Sequence, residues 1–139
     1  MRKNLPMTLI RVVVGLIFFT EGILKFVEPE ELGSGRFAHI GLPYPHLLAP
    51  FVAFAEILAG AATMFGLFAG DAATLLLIVI LTAIVTTKLP ILLNHRNGHY
   101  GLLTFLHESR TDLAMLFGCL AIILDRGFAI ASRKRLFQR

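Results

Sequence analysis

The sequence predicts an all-α fold, an integral membrane bundle of four transmembrane helices with both termini in the cytoplasm. Three observations predict it. Of the 139 residues, 56% are hydrophobic and only 16% are charged, with a mean hydropathy of +0.76, whereas soluble domains carry about 25% charged residues. Four apolar stretches approach or exceed the roughly 20 residues that a helix needs to cross a bilayer. Lys and Arg gather toward the chain ends, which sets the direction of insertion.

The first helix is expected over about 5–27. Arg2 and Lys3 ahead of an apolar run resemble a signal peptide, but the run is too long. Glu21, Lys25 and Glu28 also stand where a small-residue cleavage site would lie, so the segment is expected to be retained. The second helix is expected over about 46–69 and the third over about 72–93. Their short link makes an antiparallel hairpin, with Gly70 ending one helix and Asp71 capping the next. The fourth helix is expected over about 110–130. It is opened by Ser109-Arg110-Thr111-Asp112, which fits a capping box, and its apolar run begins at Leu113.

Arg2 and Lys3 precede the first helix, and Arg126, Arg133, Lys134, Arg135 and Arg139 follow or close the last. Both termini are therefore expected inside, and the longer connections, 28–45 and 94–109, outside. Tyr44 and Tyr100 suit the interfaces of a bilayer. The expected location is the inner (cytoplasmic) membrane, crossed several times by one domain spanning 1–139. A net charge of +4 does not point to nucleic acid, because the basic residues do not line a stacking surface.

Charges inside these stretches mark the candidate site. Glu21, Lys25, Glu56, Lys88 and Asp112 sit within or at the ends of the apolar runs. A charge at mid-bilayer costs about 2.5–3.5 kcal/mol on insertion scales, so such residues face a bundle interior and pair. At 1.5 Å per residue, Glu21, Lys25, Lys88 and Asp112 fall in the outer half of the bundle, and Glu56 lies about 15 Å along its helix, near the midplane. Arg11, Gly15, Phe18, Gly22 and Lys25 form one stripe, and its glycines admit a neighbouring backbone. Glu21 precedes Lys25 by four residues, the favourable order for a helical ion pair. Glu56, Gly60 and Thr63 share a face of the second helix, so Glu56 is expected to point inward.

Each residue also has a plainer reading. Arg11 can snorkel to the cytoplasmic surface, and Lys25 and Lys88 to the outer one. Asp112 can serve as a cap. Glu56 cannot snorkel far, so it must be protonated or find Lys25, Lys88 or Arg110; the alternative to a working role is an ion pair that fixes helix register. His95 and His99 are four apart, but Asn97 and Gly98 favour a loop over a metal site. His39, His46 and His107 offer no local pattern, and no metal is expected. Cys119 stands alone, which excludes an internal disulfide or a thiol relay within the chain. No phosphate loop or nucleophilic triad is legible. Redox chemistry would therefore need a bound cofactor or a partner.

The segment Arg11-Val-Val-Val-Gly15-Leu-Ile-Phe-Phe-Thr-Glu21-Gly22-Ile-Leu-Lys25-Phe26 resembles the first helix of the DoxX family. Phe37-Ala-His-Ile-Gly41-Leu-Pro43 resembles its following loop. Phe54-Ala-Glu56-Ile-Leu-Ala-Gly60 is similar to its glutamate-bearing second helix, and Arg110-Thr-Asp112-Leu-Ala-Met-Leu to the start of its fourth. The resemblance implies a small four-helix inner-membrane protein, similar to the membrane subunit of thiosulfate:quinone oxidoreductase and to other members tied to redox and sulfur metabolism.

On that basis an outward-opening cavity is expected to bind the head group of a quinone, ubiquinone or menaquinone. Glu21, Glu56 and Asp112 would handle protons, and Lys25, Lys88 and Arg110 would hold negative charge. The apolar helices would hold the isoprenoid tail, and electrons would come from an extracytoplasmic redox partner protein. Two other classes stay open: a non-catalytic anchor or assembly subunit of a redox complex, and a carrier of a small anion or metal. The small-residue faces would also allow a homodimer.

Overall fold

The structure, a computed structural model, describes residues 5–93 and 101–137. Among these the chain is helical, with no strand. In order come α1 (Leu5–Val27), the short α2 (Ser34–His39), α3 (Pro45–Phe65) and α4 (Ala69–Ala83). A π-helical turn (Ile84–Lys88) follows, then α5 (Leu89–Leu93), α6 (Gly101–Glu108) and α7 (Arg110–Phe137). Three runs, Leu5–Val27, Pro45–Phe65 and Ala69–Leu93, are long and apolar enough to cross a membrane. Their outward faces carry exposed Leu9, Leu16, Phe51, Leu58, Ile78 and Leu81, a surface that water would not tolerate and acyl chains would.

Backbone contact between small residues sets the α1–α3 crossing. A Cβ built on Gly15 would come within 2.5 Å of the Gly60 carbonyl oxygen, and one on Gly60 within 2.8 Å of the Gly15 oxygen. Two helical turns along, a Cβ on Gly22 would lie 2.6 Å from the Ala53 oxygen. The two helices therefore run antiparallel with their backbones in near contact, the arrangement small-residue stripes permit. α3 packs on α4, α4 on α7, and α7 returns to α1. Between them lie Val14, Phe18, Ala59, Ala73, Leu76, Met115, Cys119 and Ile122.

Helix ends correct two expectations. α3 stops at Gly66, not at Gly70. Gly66 adopts φ 76°, with its N–H directed at the Ala62 and Thr63 carbonyls, a left-handed cap that costs least at glycine. Gly70 is instead buried in the first turn of α4, where a Cβ would collide with the Arg126 side chain. Close packing explains this glycine. Asp71 does not cap either; it lies inside α4 and pairs with Arg126.

The second correction concerns the capping box. Ser109 closes α6 by donating its N–H to Phe105, and its carbonyl accepts the N–H of Leu113. The two helices abut without the extended residue that places an N-cap oxygen over the first turn. The Ser109 Oγ is left buried with no partner among the described residues.

Proline explains the π turn. Pro90 has no N–H to return to the preceding turn, and the Leu89 N–H reaches five residues back to the Ile84 carbonyl. The Thr86 and Thr87 hydroxyls donate to the Thr82 and Ala83 carbonyls at 2.8 and 2.7 Å, occupying acceptors in the widened stretch. In α3, Thr63 is fully buried, and its Oγ1 has no partner among the described residues. Thr63→Val is therefore expected to leave the stability measured by thermal unfolding in detergent unchanged or to raise it by at most about 1 kcal/mol, since an unpaired hydroxyl contributes only its desolvation cost. A clear loss of stability would show that Thr63 has a partner.

Candidate functional site

Lys25 and Glu56 form the deepest polar contact. The Lys25 Nζ donates to Glu56 Oε2 at 2.6 Å, and the two side chains are 11% and 5% exposed. Helix geometry brings them together. Side chains tilt toward the N-terminus of their own helix, so in this antiparallel pair Lys25 leans back toward Gly22 while Glu56 leans out toward Ala53. The close approach at Gly22 lets them meet. The helical Glu21–Lys25 pair expected from spacing is replaced by this contact, because Lys25 lies on the face packed against α3 while Glu21 is exposed.

A second pair is looser. Lys88, in the π turn, approaches Asp112, in the first turn of α7, at 3.8 Å, with side chains 17% and 24% exposed. That distance holds an ion pair but not a direct hydrogen bond. The surroundings tie the two pairs into one neighbourhood. Glu21 lies within electrostatic reach of both Glu56 and Asp112, and Arg36 of α2 within reach of Asp112. α2 is held over the end of α1 by a tight return at Gly33, where a Cβ would come within 2.5 Å of the Lys25 carbonyl oxygen.

The structure thus gathers Glu21, Lys25, Glu56, Lys88 and Asp112 at one end of the packed helices. Arg110 is elsewhere: it is exposed and donates to the His107 carbonyl at 2.8 Å. Sequence reasoning placed Arg36 in a connection and gave it no role; its distance in sequence from every acid it serves left no local signal. Ser109 was also missed, although its phase was readable. Ser109, Asp112, Met115, Cys119 and Ile122 recur at helical spacing, and all but half-buried Asp112 are buried.

Arg11 lies at the opposite end. It is half-buried beside Gly66, its guanidinium meeting Thr8 Oγ1 only at 3.5 Å, so it folds over the end of α3 rather than standing clear of the protein. His95 and His99 fall outside the described residues.

On the outward face of α3, Pro50, Phe51, Phe54, Ala55 and Leu58 line an open apolar groove of about 540 Å³. Phe54 also meets Phe26 edge-to-face, with ring centroids 6.2 Å apart. The groove therefore flanks the helix stretch that carries Glu56. It opens away from the packed helices.

Comparison with known proteins adds four findings. The family model described as DoxX matches residues 7–89. The chain is 42% identical over 117 residues, 82% of its own length and 71% of the relative's, to Uncharacterized membrane protein Rv3486 of Mycobacterium tuberculosis (strain ATCC 25618 / H37Rv). It is 35% identical over 111 residues, 78% of its length and 80% of the relative's, to Putative oxidoreductase CatD of Bacillus subtilis (strain 168). No solved structure matches it.

Proposed function

The chain belongs to the DoxX family of membrane proteins, and from that premise we propose that it is a quinone-binding subunit of a membrane redox system. The reading includes four crossings of the inner membrane by α1, α3, α4 with its π extension, and α7, with both termini in the cytoplasm and the charged cluster in the outer half. The name of the Bacillus relative, an oxidoreductase, supports a redox association.

The observation that carries the reading is charge balance in an apolar setting. Three cations, Lys25, Lys88 and Arg36, face three acids, Glu21, Glu56 and Asp112, at one end of helices whose outer faces are apolar. A site summing to zero suits a neutral polar head group on a hydrophobic tail better than a free anion, which would meet as many acids as cations.

The residues fit such a guest. Lys88 and the half-buried Asp112 lie 3.8 Å apart, too far for a direct hydrogen bond, which leaves the ammonium able to donate to a guest oxygen, and Ser109, one helical turn before Asp112, carries a buried hydroxyl with no partner among the described residues. The groove at Pro50, Phe51 and Phe54 offers an apolar channel for a tail. A quinone, ubiquinone or menaquinone, supplies the two-electron, two-proton acceptor chemistry. The protein would hold its oxygens with Lys88, keep water from the depth of the site with buried Phe18, and relay protons among Glu21, Asp112 and Glu56. Electrons come from an extracytoplasmic partner protein.

Purification in mild detergent followed by mass spectrometry is expected to recover a bound quinone. Glu56→Gln, which keeps an acceptor for Lys25, is expected to lower coupled quinone reduction about 100-fold, within the range of a lost proton donor. Unchanged turnover would remove Glu56 from proton transfer.

One observation favours a second reading. The Lys25–Glu56 contact is direct and almost sealed, as suits a lock between α1 and α3 in a non-catalytic assembly subunit. Under that reading no quinone co-purifies, and exchanging the two charges, Lys25→Glu with Glu56→Lys, preserves activity of the complex.

A further inference from the structure

We infer that Ser109, together with Lys88, forms the subsite for one carbonyl oxygen of the quinone head group, and that Ser109 is the specificity-determining donor. The inference rests on the quinone reading and assigns a residue and an atom within it.

Ser109 is fully buried, and its Oγ has no partner among the described residues. A buried hydroxyl without a partner forfeits its hydration, so it is retained where a guest completes it. Its position selects the guest. Ser109 heads the stripe that continues through Asp112, Met115, Cys119 and Ile122 on the packed face of α7, and residues three apart on a helix are neighbours. Asp112 in turn meets Lys88 from α4's π extension. Ser109 therefore lies on the side of α7 that carries the ion pair.

Three kinds of donor gather here. Lys88 offers an ammonium whose distance of 3.8 Å to Asp112 leaves its N–H groups without a direct acceptor there. The first-turn N–H groups of α7 have no acceptor within their own helix, and they carry the positive end of its dipole. Ser109 adds an O–H. What is missing is an oxygen with lone pairs and no formal charge, since Asp112 and nearby Glu21 already balance Lys88 and Arg36. A ketone oxygen meets that description. An aromatic ring without oxygens does not.

The test uses full-length protein in detergent micelles. The probes are decylubiquinone labelled with carbon-13 at one carbonyl, and dodecylbenzene as a ring and tail lacking oxygens. Wild type is expected to bind decylubiquinone, and infrared spectra to show one carbonyl band moved to lower wavenumber by the hydrogen bond. Ser109→Ala is expected to weaken binding about three- to tenfold, the loss of one neutral hydrogen bond, and to return that band to the position seen in plain micelles. Ser109→Thr keeps a hydroxyl and is expected to retain the shifted band. Dodecylbenzene affinity should be the same for all three proteins.

Equal affinity and an unmoved band in Ser109→Ala, with wild type still binding quinone, would overturn the Ser109 assignment and leave the quinone reading standing. No quinone binding by wild type would overturn both. A Ser109→Ala protein that melts early is replaced by Lys88→Met, which should also release the shifted band; a shifted band persisting in Lys88→Met would remove Lys88 from the subsite.

Discussion

Lys25→Met is expected to destabilise the protein by about 3–5 kcal/mol, the loss that follows when one partner of a buried ion pair is removed and the other stays charged. Glu56 is 4% exposed and takes its hydrogen bond from Lys25. With methionine in place of the ammonium, the carboxylate must acquire a proton or draw water into the α1–α3 contact, and either change costs free energy. The double variant Lys25→Met, Glu56→Met removes both charges and keeps two chains of similar length. It should recover most of the loss, since a well-packed apolar pair is often as stable as the salt bridge it replaces. Thermal or denaturant unfolding in micelles reads both outcomes. A single variant as stable as wild type would show that the pair contributes nothing to the fold. The double variant also separates the two functional readings: it should fold and be inactive if Glu56 moves protons, and fold and support the complex if the pair is only a lock.

The next largest effect is expected at the glycine contact. Gly15→Val or Gly60→Val places a branched side chain where the opposing element is backbone, with carbonyl oxygens 2.5 and 2.8 Å from the first added carbon. Backbone cannot rotate away, so α1 and α3 must separate. Overpacking alone costs about 1–3 kcal/mol. Separation would also stretch the 2.6 Å Lys25–Glu56 bond, so the two losses compound. Gly118→Ala supplies the control. Its added carbon would come within 2.5 Å of a methyl of buried Val14, so a side chain must shift, but no backbone stands in the way. Unfolding measurements should rank Gly118→Ala far above either valine variant; equal stability of all three would mean that the α1–α3 crossing has slack.

The inward faces of α1 and α3 were legible because helical period alone decides which residues share a side. Gly15, Phe18 and Gly22 fall on one stripe, and Glu56, Gly60 and Thr63 on another, all of them buried. Partner choice was harder. Rules for residues four apart paired Lys25 with Glu21, whereas a residue 31 positions away took the contact. No local rule weighs a tertiary acceptor against a neighbouring one. Turn chemistry was ambiguous for a related reason. Gly66 and Gly70 both look like helix terminators, and only packing shows that one accommodates a backbone angle and the other a passing Arg126. Ser109 read as a cap because its neighbours match the motif. The motif requires an extended residue before the helix, and α6 fills that space.

The matching of acids and bases around Glu56 and Asp112 has an electrical corollary. Moving one elementary charge through 100 mV is worth about 2.3 kcal/mol, but a cluster whose formal charges cancel offers membrane voltage nothing to push. A proton arriving from solution breaks that neutrality. From then until the charge is passed on, the site responds to voltage, so any coupling of turnover to an energised membrane enters through protonation and not through the resting protein.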